Sequence, residues 1–133
     1  MPAAADRCDP GRMVRCLIVD DSRRFLDAAR GLLVREGVSV VGTATTSAEA
    51  TDLVVRLRPD VVLVDIDLGG ESGLDLVARL RSAGSAAPMI LISAHAEQDY
   101  ADLIAASPAI GFVAKSGLSA GAIQRLLNDA GGN

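Results

Sequence analysis

Tryptophan is absent from these 133 residues, and Phe25, Tyr100 and Phe112 are the only aromatic side chains. A core must therefore be assembled from Val, Leu, Ile and Ala. Half of the residues are apolar and the mean hydropathy is +0.32, which suits one packed domain and excludes disorder, collagen and coiled coil. No apolar run approaches the ~18 residues of a membrane helix, because Asp or Arg interrupts each one. The N-terminus carries Asp6 and Asp9 and no apolar stretch, so no signal peptide is expected. Two cysteines, Cys8 and Cys16, make neither a metal site nor a disulfide framework. These absences lead to the expectation of a cytoplasmic protein with no membrane partner.

Lysine is almost absent too. Of thirteen basic residues twelve are arginine, and Lys115 is the single exception, as if a compact ammonium were needed there. Seventeen acidic residues leave a net charge of −4. The first 36 residues are nearly balanced, with seven Arg against six acids, and the remainder is acidic. Neither half resembles a binder of phosphate backbones, so direct nucleic-acid contact is not expected.

Residues 1–13 hold two prolines and scattered charges without periodicity and read as a loose tail. Five short apolar runs follow, at 14–19, 38–44, 60–64, 88–92 and 110–114. Runs this short and this rich in Val and Ile are the pattern of parallel strands buried on both faces. Between them, apolar residues at helical spacing predict helices over 22–36, 47–57, 73–82, 96–106 and 119–130, with Ser47 and Ser119 as N-caps. The fourth is the weakest, resting on Tyr100, Leu103 and Ile104. Five alternating strand–helix units predict an α/β doubly wound, five-stranded parallel sheet with helices on both faces and strand order 2-1-3-4-5.

In open α/β sheets, ligands bind beyond the carboxyl ends of the strands. The residues that follow the runs are Asp20 and Asp21, then Asp65, Ser93 and Lys115. Any one of them has a bland reading as a strand end or a helix cap. Three carboxylates, a hydroxyl and an ammonium on one rim are harder to dismiss. Clustered carboxylates repel one another unless a cation joins them, and Mg²⁺ with oxygen ligands is the natural candidate. Asp65, followed by Gly69 and Gly70 in a loop open to a bulky group, is the candidate nucleophile for an aspartyl phosphate. Lys115 and the Ser93 hydroxyl would then neutralise phosphoryl oxygens.

The segments LIVDDSRRF, DVVLVDIDLGGESGLDL, MILISAHA and GFVAKSGLS resemble, in order and spacing, the four signature segments of two-component response-regulator receiver domains. The resemblance covers about residues 14–130, which leaves 131–133 as a tail or truncated linker. It implies a flavodoxin-like sheet and a phosphoryl group accepted by Asp65 from a sensor histidine kinase or phosphotransfer protein. It also implies Mg²⁺, with Mn²⁺ as a substitute, held by Asp20, Asp21, Asp65 and the backbone carbonyl of Asp67. Ser93 and Phe112 match the hydroxyl and aromatic switch positions, Lys115 the family's lysine, and Gly73 the glycine eight beyond the acceptor. Asp67 and His95 match positions that line the path of the attacking water and so modulate the lifetime of the phosphate. The face formed by 96–130 would dock a downstream protein or a second copy. Two departures stand out. Leu68-Gly69 replaces the usual Met-Pro, and Ser116 replaces the proline that often follows the lysine, as in receivers of regulators with a helix-turn-helix output.

Two other readings compete. A pseudo-receiver would dock a partner without phosphorylation, although the intact acidic set argues against it. Asp65-Ile-Asp67-Leu also fits the first motif of haloacid-dehalogenase-type phosphohydrolases, but that family places its acidic pair after the lysine, where only Asp129 is found here. An EF-hand loop starting at Asp65 fails at Leu76, its twelfth position, and Lys115-Ser116 lacks the glycines of a Walker loop.

Overall fold

The computed structural model describes residues 13–95 and 97–131. Five strands alternate with five helices. They are β1 (Arg15–Val19), α1 (Arg23–Arg35), β2 (Ser39–Ala44), α2 (Ser47–Leu57), β3 (Val61–Asp65), α3 (Gly73–Ser82), β4 (Met89–Ser93), α4 (Ala101–Ala105), β5 (Gly111–Ala114) and α5 (Ala120–Gly131). All pairings in the main sheet are parallel, in the order β2-β1-β3-β4-β5, as expected. The predicted tails lie outside the described residues, except Met13 and Gly131, and Gly131 is the last residue of α5.

Alternation along each strand divides the core in two. Cys16, Ile18, Val61, Leu63, Ile90, Ile92 and Val113 face α1 and α5 through Leu26, Leu33 and Ile123. Leu17, Val19, Val62, Val64, Met89 and Leu91 face α2 and α3 through Val54, Leu76, Val77 and Leu80. Both faces are covered, so β3 and β4 are buried along their whole length. Each buried aliphatic side chain contributes about 1.5–3 kcal/mol, and with so few rings the aliphatics supply nearly all of it. Cys16 belongs to this core as a free thiol, and burial pushes its pKa up to about 12.

Helix ends follow local chemistry with one correction. Ser22, Ser72 and Ser119 cap α1, α3 and α5 by accepting backbone N–H bonds. The N-cap of α2, however, is Thr46, whose hydroxyl accepts from the Glu49 amide, while the expected cap Ser47 is a buried first-turn residue. Gly37, at φ +92°, ends α1 where a side chain would be strained, and Val38 N–H closes the turn on the Leu33 carbonyl.

Of the predicted helix over 96–106, residue 96 lies outside the described residues, and the rest is a 3₁₀ turn at Glu97–Asp99 and the five residues of α4. No side chain of α4 is fully buried, so little tertiary packing supports a longer helix. A two-residue antiparallel ladder pairs Asp67–Leu68 with Glu71–Ser72 directly after β3.

Candidate functional site

The carboxyl ends of β1, β3, β4 and β5 bring Asp20, Asp21, Asp65, Ser93 and Lys115 to one rim. Asp65 and Ser93 are the last residues of their strands, and Lys115 follows β5 directly. All peptide bonds among the described residues are trans, and Ser116 begins no distortion that keeps Lys115 from the site.

Three of the polar side chains are buried, Asp20 at 0%, Asp65 at 5% and Ser93 at 2% exposure. Lys115 Nζ lies 2.6 Å from Asp20 Oδ2 and 3.0 Å from Asp65 Oδ2. The second contact is also a hydrogen bond. The first is an ion pair outside hydrogen-bond geometry, and Asp20 Oδ2 has no hydrogen-bond partner. Asp20 Oδ1 accepts from the Ser22 amide, and Asp65 Oδ1 accepts from the Asp67 amide. Burial pushes the Asp65 carboxyl above its ordinary pKa, the Lys115 and Asp67 hydrogen bonds oppose this, and the charge of Asp20 adds to it. Burial acts to lower Lys115, but the two carboxylates outweigh it and hold the ammonium above its ordinary value.

Asp21 is exposed, and no hydrogen bond or ion pair to its side chain is found among the described residues. One oxygen from each of Asp20, Asp21 and Asp65 falls within 4.8 Å of the others. Gly69, at φ +74°, packs against this carboxylate so closely that a Cβ would sit 2.9 Å from Asp21 Oδ2. Proline could not take this positive φ, so the backbone at Leu68-Gly69 follows a path that the usual Met-Pro does not allow.

The remaining expected residues occupy the surroundings. Asp67 is exposed and its carboxylate accepts from the Gly69 amide. His95 is exposed, its amide donates to Ser93 Oγ, and its ring meets Tyr100 edge-on with centroids 6.2 Å apart. Phe112 pairs with Leu91 across the β4–β5 ladder and is half-buried, packed like Tyr100 and Ile104 against the core on the α2/α3 side of the sheet. Sequence periodicity misses one member of the site. Phe25 reads as core, yet its ring centroid lies 4.4 Å from Lys115 Nζ.

The response regulator receiver domain model matches residues 16–127. The chain belongs to that family. Among curated relatives it is 31% identical over 106 residues to the transcriptional regulatory protein YvfU of Bacillus subtilis, covering 79% of this chain and 53% of that protein. It is 29% identical over 102 residues to the DNA-binding transcriptional activator EvgA of Escherichia coli, covering 77% and 50%. This receiver therefore spans about half the length of these relatives. Among solved structures it superposes on the signal receiver domain of the response regulator NarL from Mycobacterium tuberculosis with a TM-score of 0.78 and 30% identity, covering 92% of this chain and 99% of that one. A LuxR-family two-component response regulator from Aurantimonas gives a TM-score of 0.78 at 28% identity, covering 92% and 88%. No helix among the described residues is long and apolar enough to cross a membrane.

Proposed function

We propose that Asp65 accepts a phosphoryl group from the phosphohistidine of a sensor histidine kinase or phosphotransfer protein, with Mg²⁺ bound, and that the new charge reshapes the 96–130 face. The observation that carries this reading is the buried Asp65 carboxylate at the end of the central strand. It holds an ammonium 3.0 Å from one oxygen, with Asp20 and Asp21 within reach of a shared cation. A module that only docks would gain nothing from burying like charges together.

The residues fit a hard divalent ion. Three carboxylates against one ammonium leave two negative charges uncompensated, and the donors are all oxygen. Asp20, Asp21, Asp65 and the Asp67 carbonyl would hold Mg²⁺ or Mn²⁺. Such an ion would supply positive charge for phosphoryl oxygens. An Asp65 oxygen forms the new P–O bond as the P–N bond of the donor breaks, and the electron pair leaves with the imidazole. Lys115 is already on Asp65 and shifts with little movement to a phosphoryl oxygen. Ser93 Oγ accepts from His95 N–H, so its own proton remains free to donate.

Incubation with Mg²⁺ and acetyl phosphate tests the reading. A stable adduct of ~80 Da in intact mass supports it. No adduct would indicate a pseudo-receiver, and continuous phosphate release over many turnovers a phosphohydrolase.

Titration with Mg²⁺ checks the metal site. Asp21→Ala weakens binding roughly tenfold or more, and Asp20→Ala less, because Lys115 already compensates Asp20. Unchanged affinity in both variants would remove the site. Phosphate decay checks the two exposed neighbours. Replacing Asp67 or His95 alters the decay rate without preventing uptake, and matched decay in parent and variants would leave both as solvated loop residues.

The conformational output begins with the groups that touch the phosphoryl, since only they differ in interaction between the two states. Ser93 turns to donate, which frees space beside the sheet, and Phe112 moves further into it. Being half-buried already and lacking a hydroxyl, Phe112 has a short distance to travel and no polar group to satisfy. A beryllofluoride mimic therefore shifts NMR signals of Phe112 and Tyr100, and Ser93→Ala loses those shifts while still taking up phosphate. Shifts confined to the loops around Asp20 and Asp65 would exclude this route. The partner on that face is a downstream protein or a second copy. The acidic balance disfavours DNA contact by these residues themselves; DNA binding is named for EvgA, of which this chain matches half. The reading goes with a cytoplasmic, non-enzymatic signalling role.

A further inference from the structure

Two ion pairs and one ring contact are found at Lys115 Nζ among the described residues. The ion pairs are to the carboxylates of Asp20 and Asp65, and the ring is that of Phe25, with its centroid 4.4 Å away. Phe25 sits in the first turn of α1, where its amide is held by the Ser22 hydroxyl, and the Ser22 amide in turn supports Asp20 Oδ1. The same capping turn therefore sets both the aspartate and the ring. Phe25 packs against the α1/α5 core, while its ring lies against the cation.

We propose that Phe25 is a positioning residue for Lys115, holding the ammonium against its ring so that it stays aimed at the acceptor during phosphoryl transfer. The proposal rests on Asp65 being the phosphoacceptor. Before transfer, two carboxylates fix the ammonium. As an Asp65 oxygen bonds to phosphorus, the charge passes to the phosphoryl group and the hold of Asp65 on Lys115 weakens. The ring is unchanged by that step. It remains a cation-binding wall that keeps water from one side of the ammonium and so strengthens its pull on the new charge.

Lys115 is the only lysine in the 133 residues, so lysine labelled with ¹³C at Cε gives one side-chain signal that needs no assignment. In the parent that signal is shifted upfield by the ring. Phe25→Tyr keeps the shift, while Phe25→Leu and Phe25→Met move the signal toward that of free lysine. With Mg²⁺ and acetyl phosphate, the two variants without a ring are phosphorylated roughly three- to tenfold more slowly, and Phe25→Tyr stays within about twofold of the parent. Amide spectra show which ringless variant keeps the parent fold, and Met retains bulk and flexibility if Leu unsettles the core. Parent-like rates in a folded ringless variant overturn the proposal, whether or not the lysine signal moves. Slowing of Phe25→Tyr equal to that of the ringless variants overturns it too. A parent that takes up no phosphate overturns instead the assignment of Asp65.

Discussion

Asp65→Asn gains no mass from Mg²⁺ and acetyl phosphate under conditions in which the parent gains ~80 Da. The amide fills the same space but offers no anionic oxygen to phosphorus, so the loss is complete rather than partial. The fold should survive it. Asparagine has one acceptor oxygen where Asp65 uses two, on the Asp67 amide and on Lys115, so one hydrogen bond is lost. Against that loss, one of three clustered like charges disappears from a buried position, and Lys115 keeps Asp20. Near neutral pH the variant is as stable as the parent or more stable by up to about 1 kcal/mol.

The pH dependence carries a sign. Asp65 has a raised pKa in the folded protein, so its ionisation costs stability, fully above that folded value and not at all below the unfolded value of ~3.9. The advantage of Asp65→Asn therefore fades as pH falls through that window. Urea unfolding at a series of pH values reads it. An advantage that grew in acid would contradict the charge account, and phosphate uptake equal to the parent's would mean that another residue is the nucleophile.

The strands are legible in the sequence because each is nearly all apolar, and a strand covered on both faces has no other way to be written. The rim is legible for a related reason. A charged residue that ends such a run, as Asp20, Asp65 and Lys115 do, has only the carboxyl edge of the sheet to occupy. What escapes is whatever depends on contacts distant in sequence or on too few residues to form a pattern. The short α4 fully buries no side chain, so periodicity has little to record there. The ladder after β3 has two residues per strand. Ser47 and Thr46 are equally good caps by composition, and only the backbone path makes Thr46 the cap. Phe25 fits the core stripe of α1, and its contact with Lys115, ninety positions away, has no local signature.

Gly73→Ala should be the most damaging glycine-to-alanine substitution among the described residues. A methyl group at 73 would overlap the Asp65 carbonyl oxygen and sit 2.8 Å from its carbonyl carbon and 3.0 Å from Ile66 Cα. All three are backbone atoms, with no flexible side chain to swing aside. Gly73 N–H also donates to the Ile66 carbonyl at 2.8 Å, so helix and strand end are already tied at closest approach. Alanine is the better helix former by about 1 kcal/mol, but that gain is smaller than the cost of prying α3 from β3. The expected loss is about 2–4 kcal/mol of stability. The displaced atoms are the backbone of the acceptor itself, so the Asp65 carboxylate leaves its place beside Lys115 and Asp20. Phosphate uptake per folded molecule should fall roughly tenfold or more. Gly70→Ala is the control, since a methyl group there meets nothing within 4 Å. It should stay within about 0.5 kcal/mol of the parent and keep its phosphorylation rate. Equal behaviour of the two variants would show that the contact between Gly73 and Asp65 does not position the acceptor.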